Sequence, residues 1–281
     1  MKKIGVVGTG IMGAGIASNY LLKGYQVFVW NRSKEKLAPL VQNAAVTANT
    51  PREVTEQADM VFEVTGNDES SREVWLGEDG IIAGARPDSV LITCATISVK
   101  WTDELAKLCG EKGCTFFDMP MTGSRVGAEN GRLTFLVGGD EELLELLKPD
   151  LAPVSEKQIL FGKTGSGTRY KLLLNMLAAV HIVGLGEALK IASQSGMDVA
   201  KVGNALAEKP GGVTTNLAWR DYQKAPDPIN FSVEWIAKDL AYAKQFAGEI
   251  SLPLLDDCLR AYAEAVKKGQ AQEDWTAVNK P

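Results

Sequence analysis

Lys3-Ile4-Gly5-Val6-Val7-Gly8-Thr9-Gly10-Ile11-Met12-Gly13-Ala14-Gly15 is the stretch that decides the fold. An apolar, β-branched run leads into Gly8, Gly10 and Gly13 at GxGxxG spacing, and a helical pattern follows from Ile11 to Lys23. In a strand–turn–helix of this kind the first glycine permits the tight turn and the second lets backbone approach a pyrophosphate. The third lets the helix pack close to the strand. Phosphates then sit at the helix N-terminus, against the first turn that holds Ile11 and Met12. The spacing alone is a weak signal. Here a strand precedes it, a helix follows it and a second strand comes at the right distance, so the stretch reads as a dinucleotide site.

Residues 1–162 alternate short β-branched runs with helical patterns, which is how a parallel sheet wound by helices reads. The expected strands are Lys3–Val7, Gln26–Trp30, Met60–Val64, Ser89–Thr93, Thr115–Asp118, Leu133–Val137 and Gln158–Phe161. Expected helices cover Ile11–Lys23, Lys34–Gln42, Pro51–Gln57, Val99–Cys109 and Glu141–Leu147. Together they predict an α/β Rossmann-type domain. Residues 163–281 read as all-α: Ser166–Ser195, Asp198–Leu206, Thr214–Gln223, Trp235–Ala247 and Leu252–Lys268. The first of these is a long interdomain helix of roughly 45 Å, entered through Gly162-Lys163-Thr164-Gly165-Ser166-Gly167. A cleft between two lobes is expected.

The second strand ends in Val29-Trp30-Asn31-Arg32-Ser33-Lys34. An NAD site usually carries Asp or Glu here to bond the ribose 2′-hydroxyl. An acid repels a 2′-phosphate, whereas the guanidinium of Arg32 pairs with one. Asn31, Arg32 and Ser33 therefore predict NADP(H).

Lys171 and Asn175 lie one turn apart within an otherwise apolar helical run, so both project from the same face. The flanking residues 172–180 are nearly all apolar, and the helix is expected to be buried on most sides. A cation there needs a partner or a use. It could donate a proton to a carbonyl oxygen, or it could snorkel from near the helix start. The chain's one histidine, His181, sits among Val180, Ile182 and Val183 and reads as a satisfied core or interface residue. That leaves Lys171 as the candidate proton donor.

A formal net charge of −5 argues against broad binding to nucleic acid or to an anionic membrane. The four cysteines (Cys94, Cys109, Cys114 and Cys258) form no CxxC pair, so no metal site is expected and reduced thiols are the default. The apolar stretch Leu172–Leu185 is interrupted by Asn175, His181 and Gly184 and falls short of a membrane span. A cytoplasmic protein is expected.

These pieces, in this order, resemble the β-hydroxyacid dehydrogenase family over essentially the whole chain. The motifs are Gly8–Gly13 with Ala17 and Asn19; Asp118-Met119-Pro120-Met121-Thr122-Gly123-Ser124 with Gly131 and Val137-Gly138-Gly139; Gly165-Ser166-Gly167 with Lys171 and Asn175; and Lys238-Asp239-Leu240. The resemblance implies that Lys171 is catalytic and that Asn175 orients substrate and lysine. It implies that Thr122 and Gly123, aided by Ser124 and Arg125, hold a substrate carboxylate. Thr96 matches a position near nicotinamide and substrate, Thr65 lies in a cofactor-contacting loop, and Lys238 matches a lysine that contacts cofactor or substrate.

Thr122-Gly123-Ser124-Arg125, where many members carry Ser-Gly-Gly, and the Asn31-Arg32-Ser33 turn look closest to the glyoxylate/succinic semialdehyde reductase branch. A small carboxylate-bearing aldehyde or its hydroxyacid is the implied substrate, and a homodimer or homotetramer the implied assembly. The alternatives are a 3-hydroxyisobutyrate or tartronate semialdehyde type of dehydrogenase, an imine reductase, which typically lacks the lysine, and a non-catalytic NADP-binding module.

Overall fold

A row of buried apolar strands organises the first half of the chain. The computed structural model describes residues 1–208, 212–249 and 251–280. Its sheet contains β1 (Ile4–Val7), β2 (Val27–Trp30), β3 (Val46–Thr47), β4 (Met60–Glu63), β5 (Val90–Thr93), β6 (Thr115–Asp118), β7 (Met121–Thr122), β8 (Leu133–Gly138) and β9 (Ser155–Gly162). The order is β3-β2-β1-β4-β5-β6-β8-β7, with β9 on β8. Pairing is parallel from β3 through β6, and β8 runs antiparallel to β6 and β7. Every residue of β1 and β4 is buried, as expected for a parallel sheet covered on both faces. The strand order reverses between β1 and β4, which opens the crevice where doubly wound folds bind ligands.

Each expected strand is present. β3 and β7, of two residues each, are too short to carry a periodic signal. The expected helix Lys34–Gln42 divides into a 3-10 turn at Lys34–Leu37 and a helix at Ala38–Gln42, since Pro39 has no N–H to carry the ladder through. Three short helices escaped the periodicity: Asp68–Trp75, Ile81–Gly84 and Ser124–Glu129. The first is set by a capping box between Asn67 and Ser70. The last packs on the first helix, Ile11–Leu22: a Cβ at Gly15 would stand 2.7 Å from the Ala128 carbonyl. Asn19 donates to the carbonyls of Gly15 (2.8 Å) and Ala128 (2.7 Å), which ties the two helices together.

By compactness the chain divides into two units at Lys171/Leu172, inside the long helix Ser166–Gln194. The helix's first turn belongs to the sheet. The buried Asp118 carboxylate accepts from the backbone N–H groups of Gly165 (2.5 Å) and Thr168 (2.7 Å), satisfying two donors that the helix start leaves unpaired. Gly138 and Gly167 let backbone meet backbone there. A Cβ at Gly167 would crowd the Asp118 carbonyl at 2.7 Å, and one at Gly138 would reach 2.7 Å from the Ser166 nitrogen.

The helix is buried along one stripe (Leu172, Asn175, Ala179, Ile182, Leu185, Leu189 and Ala192) and exposes Leu173, Leu177 and Ile191. It is therefore amphipathic in its burial, with the 3.6-residue period of a one-sided contact, and not buried on most sides. By length and composition alone it is long and apolar enough to cross a membrane, a longer apolar element than the Leu172–Leu185 stretch suggested.

The second unit continues through helices Val199–Ala207, Gly212–Gln223, Val233–Ala247 and Pro253–Lys267. Trp219 and Trp275 are buried within the chain itself. Trp219 lies where a Cβ on Gly203 would touch its ring.

Burial raises the Asp118 carboxyl to about 6, against the lowering pull of the Thr168 and Gly165 amides. A folded-state value above the unfolded one means the native protein holds the proton more tightly. This group's contribution to stability is therefore present at low pH and is lost as pH rises from about 4 to about 6. Asp118→Asn removes that pH-dependent component, and it costs about 1–3 kcal/mol at neutral pH because one helix donor loses its acceptor. Chemical denaturation of both proteins between pH 4 and pH 7 checks both effects.

Candidate functional site

The three fingerprint glycines differ in what requires them. Gly8 has φ +95°, and a Cβ there would collide with the Val64 carbonyl. At Gly13 a Cβ would collide with the Gly8 carbonyl. Gly10 has φ −66° and ψ −168°, open to any residue, and apart from its immediate chain neighbours no described atom lies within 4 Å of where its Cβ would be. The protein itself places no demand on Gly10, so the empty space above it is the cradle a pyrophosphate needs.

The helix starting at Ile11 has no side-chain cap and no acid in its first turn, leaving the N–H groups of Ile11, Met12 and Gly13 for an anion. The Thr9 hydroxyl beside them is buried without a hydrogen-bond partner among the described residues. Uncapped amides, an orphan hydroxyl and open space fit a dinucleotide phosphate.

At the end of β2, Asn31 faces inward. Its oxygen accepts from the Thr9 amide (3.0 Å) and its nitrogen donates to the Ser33 carbonyl (2.9 Å), so it braces the fingerprint turn. Ser33 opens the 3-10 turn without a capping bond from its side chain. Arg32 projects outward with 80% of its side chain exposed, 3.6 Å from Glu73.

Beyond β4, Thr65 donates both its N–H (3.0 Å) and its hydroxyl to Glu63 Oε1. Thr96 lies partly buried in the loop after β5.

Thr122 closes β7 opposite Thr134 of β8. Gly123, at φ +123°, caps the helix Ser124–Glu129, and Ser124 is held at φ +54°. That left-handed conformation costs a serine about 1 kcal/mol. Arg125 lies 3.6 Å from Glu129, and its Nε is buried with no partner among the described residues.

The anchoring at Asp118 brings Lys171 to this loop. Its ammonium donates to the Met121 carbonyl at 3.0 Å, the residue preceding Thr122. Lys171 is half-buried.

In the second unit, Asn175 donates to Asp239 Oδ2 at 2.5 Å, and the Lys238 ammonium lies 2.7 Å from Asp239 Oδ1. The Lys238 contact is an ion pair without an aligned hydrogen bond. Lys238 also stands 5.3 Å over the Tyr242 ring, within cation–π range. Asp239 thus gathers the two predicted residues of this unit. His181 has its Nδ1 buried with no partner among the described residues.

Residues 3–162 match the family described as the NAD binding domain of 6-phosphogluconate dehydrogenase. Residues 165–281 match the NAD-binding family of NADP-dependent 3-hydroxyisobutyrate dehydrogenase. The chain belongs to the β-hydroxyacid dehydrogenase family.

Among its relatives is the chloroplastic glyoxylate/succinic semialdehyde reductase 2 of Arabidopsis thaliana, 30% identical over 98% of this chain and 78% of that one. The NAD-dependent L-serine dehydrogenase of Pseudomonas aeruginosa is 29% identical, over 100% of this chain and 97% of that one. Among solved structures, the Mycobacterium tuberculosis 3-hydroxyisobutyrate dehydrogenase with L-serine superposes with a TM-score of 0.86. It is 27% identical and covers 99% of this chain and 98% of that one.

In this β-hydroxyacid dehydrogenase, Glu63, Glu73 and Asp239 contact predicted site residues, and the sequence reading gave none of the three a role. Asp239 had a signal, the Lys238-Asp239 pair itself. Glu63 stood inside an apolar strand, the one charged residue of β4.

Gly10→Ala leaves the stability of the cofactor-free protein within about 1 kcal/mol but weakens dinucleotide binding about tenfold or more, about 1.4 kcal/mol. Gly13→Ala instead destabilises the fold by about 3 kcal/mol. Thermal melts with and without dinucleotide separate the two outcomes.

Proposed function

We propose that this chain is an NADP(H)-dependent oxidoreductase that reduces a small carboxylate-bearing aldehyde, of the glyoxylate or succinic semialdehyde kind, to the hydroxyacid. The observation that carries the reading is the Lys171 ammonium beside the Thr122 loop. Reduction of an aldehyde needs hydride at carbon and a proton at oxygen. A bound reduced nicotinamide supplies the hydride.

Lys171 is the proton donor. Its attachment to the Met121 carbonyl fixes the direction of the side chain and sets it next to the Thr122 hydroxyl's own segment. Thr122, the Gly123 and Ser124 amides and Arg125 hold the substrate carboxylate, which places the carbonyl at the lysine. Asn175, a turn further along the same helix and steadied by Asp239, orients substrate and lysine. Lys238 contacts cofactor or substrate. Arg32 and Ser33 take the 2′-phosphate, supported by the absence of any acid at the end of β2. A homodimer or homotetramer is part of the reading, with the exposed face at Leu173, Leu177 and Ile191 as its contact.

A second reading, NAD-linked oxidation of a 3-hydroxyacid such as L-serine, is favoured by one observation. Glu73 stands 3.6 Å from Arg32 and offers the guanidinium an internal partner in place of a phosphate.

Steady-state kinetics with NADPH and NADH decide between the two, and a clear NADH preference rejects the first. NADPH oxidation with glyoxylate, succinic semialdehyde, tartronate semialdehyde and methylmalonate semialdehyde identifies the substrate. If none is reduced, the substrate class is wrong. Lys171→Ala still binds NADPH but loses kcat by about 10²–10⁴-fold, measured by cofactor fluorescence and initial rates.

A further inference from the structure

Glu63 closes β4 with no exposure to solvent, where burial pushes its carboxyl above the usual range. A carboxylate in such a place is costly unless every oxygen is used. Oε1 accepts from the Thr65 N–H and hydroxyl, and Oε2 from the Thr93 hydroxyl at 2.6 Å. Five residues on, Asp68 repeats the arrangement. Its Oδ1 accepts from the Ser98 N–H at 2.7 Å and its Oδ2 from the Ser98 hydroxyl at 2.5 Å. Ser71 then accepts from the Trp101 indole N–H at 2.9 Å.

These are successive rungs between the same two segments, each joining residues 30 positions apart. Between the first and second rungs lie Thr65 on one side and Thr96 on the other. Both threonines follow strands β4 and β5, which lie past the reversal of strand order and so on the half of the sheet that faces the nicotinamide end of a dinucleotide. Apolar side chains would stabilise the fold at least as well as the buried Glu63 and the half-buried Asp68. What the acids add is fixed geometry, because each binds both the N–H and the hydroxyl of one loop residue.

We propose that Glu63 and Asp68 are positioning residues that lock the Thr65 turn to the Thr96 loop, so that the nicotinamide-facing edge is presented as one block. What that edge holds rests on the dehydrogenase reading above.

Asp68→Ala removes the middle rung. NADPH still binds, within about threefold of the wild-type dissociation constant, because the fingerprint and Arg32 follow β1 and β2. The emission of the bound reduced nicotinamide moves toward that of free cofactor, and kcat falls about ten- to a hundredfold. Asp68→Asn, which still accepts from the Ser98 amide and can donate to its hydroxyl, restores both. Thr93→Val removes the upper rung with little change in shape and produces a smaller change in the same direction, which keeps the proposal testable if the alanine variant does not fold. Wild-type emission and turnover in Asp68→Ala, or in Thr93→Val if the former is unfolded, overturn the proposal. So does a loss of affinity with no change in emission. If the wild-type protein binds NADPH but reduces no carbonyl, the dehydrogenase reading fails, and the emission comparison still decides the ladder.

Discussion

The Asp118 carboxylate is the contact on which the rest of the arrangement depends. It sits at the carboxyl end of β6, buried, and receives the first free amides of the long helix at 2.5 and 2.7 Å. Because Gly138 and Gly167 let the backbones meet, the helix can start in only one place and direction. Lys171 lies four residues beyond Gly167, a single turn, so its position is inherited from the sheet and not negotiated by a loop. Met119, Pro120 and Met121 then carry the chain from the same aspartate to the carbonyl that the lysine meets. One carboxylate thereby sets both the cation and the loop opposite it.

Much of this was legible in the sequence because it is local. The fingerprint, the strands and the long helix announce themselves through glycine spacing and apolar period, which act over a few residues. Lys171 and Asn175 were visible as polar residues in an apolar run. The one-sided burial of that run is hidden in the sequence, since periodicity vanishes when exposed positions such as Leu173, Leu177 and Ile191 are themselves apolar. What stayed illegible depends on pairing at a distance. Glu63 and Thr93 are 30 residues apart, and Asn175 and Asp239 are 64 apart. No window along the chain contains both members. The inward bond of Asn31 to Thr9 likewise depends on how β1 and β2 lie side by side.

Within each unit the acids beside predicted site residues are used in a consistent way. The acids that matter are turned inward to hydroxyls, amides or a neighbouring lysine: Glu63 and Asp68 to threonine and serine, Asp118 to a helix start, Asp239 to Asn175 and Lys238. None of them is spent on the first turn of the fingerprint helix, whose amides stay uncapped. The positive potential of that terminus is therefore not cancelled by a nearby side chain. A chain with a net charge of −5 can in this way still present a local attraction for phosphate.

The unequal status of the three fingerprint glycines bears on how such chains drift over evolutionary time. Gly8 and Gly13 are enforced by the fold's own atoms and would persist in a descendant that had abandoned its cofactor. Gly10 is enforced by nothing inside the protein and would be the first to wander once its ligand no longer selected for it. Among divergent copies, the middle glycine is therefore the one that marks a lineage still binding a dinucleotide.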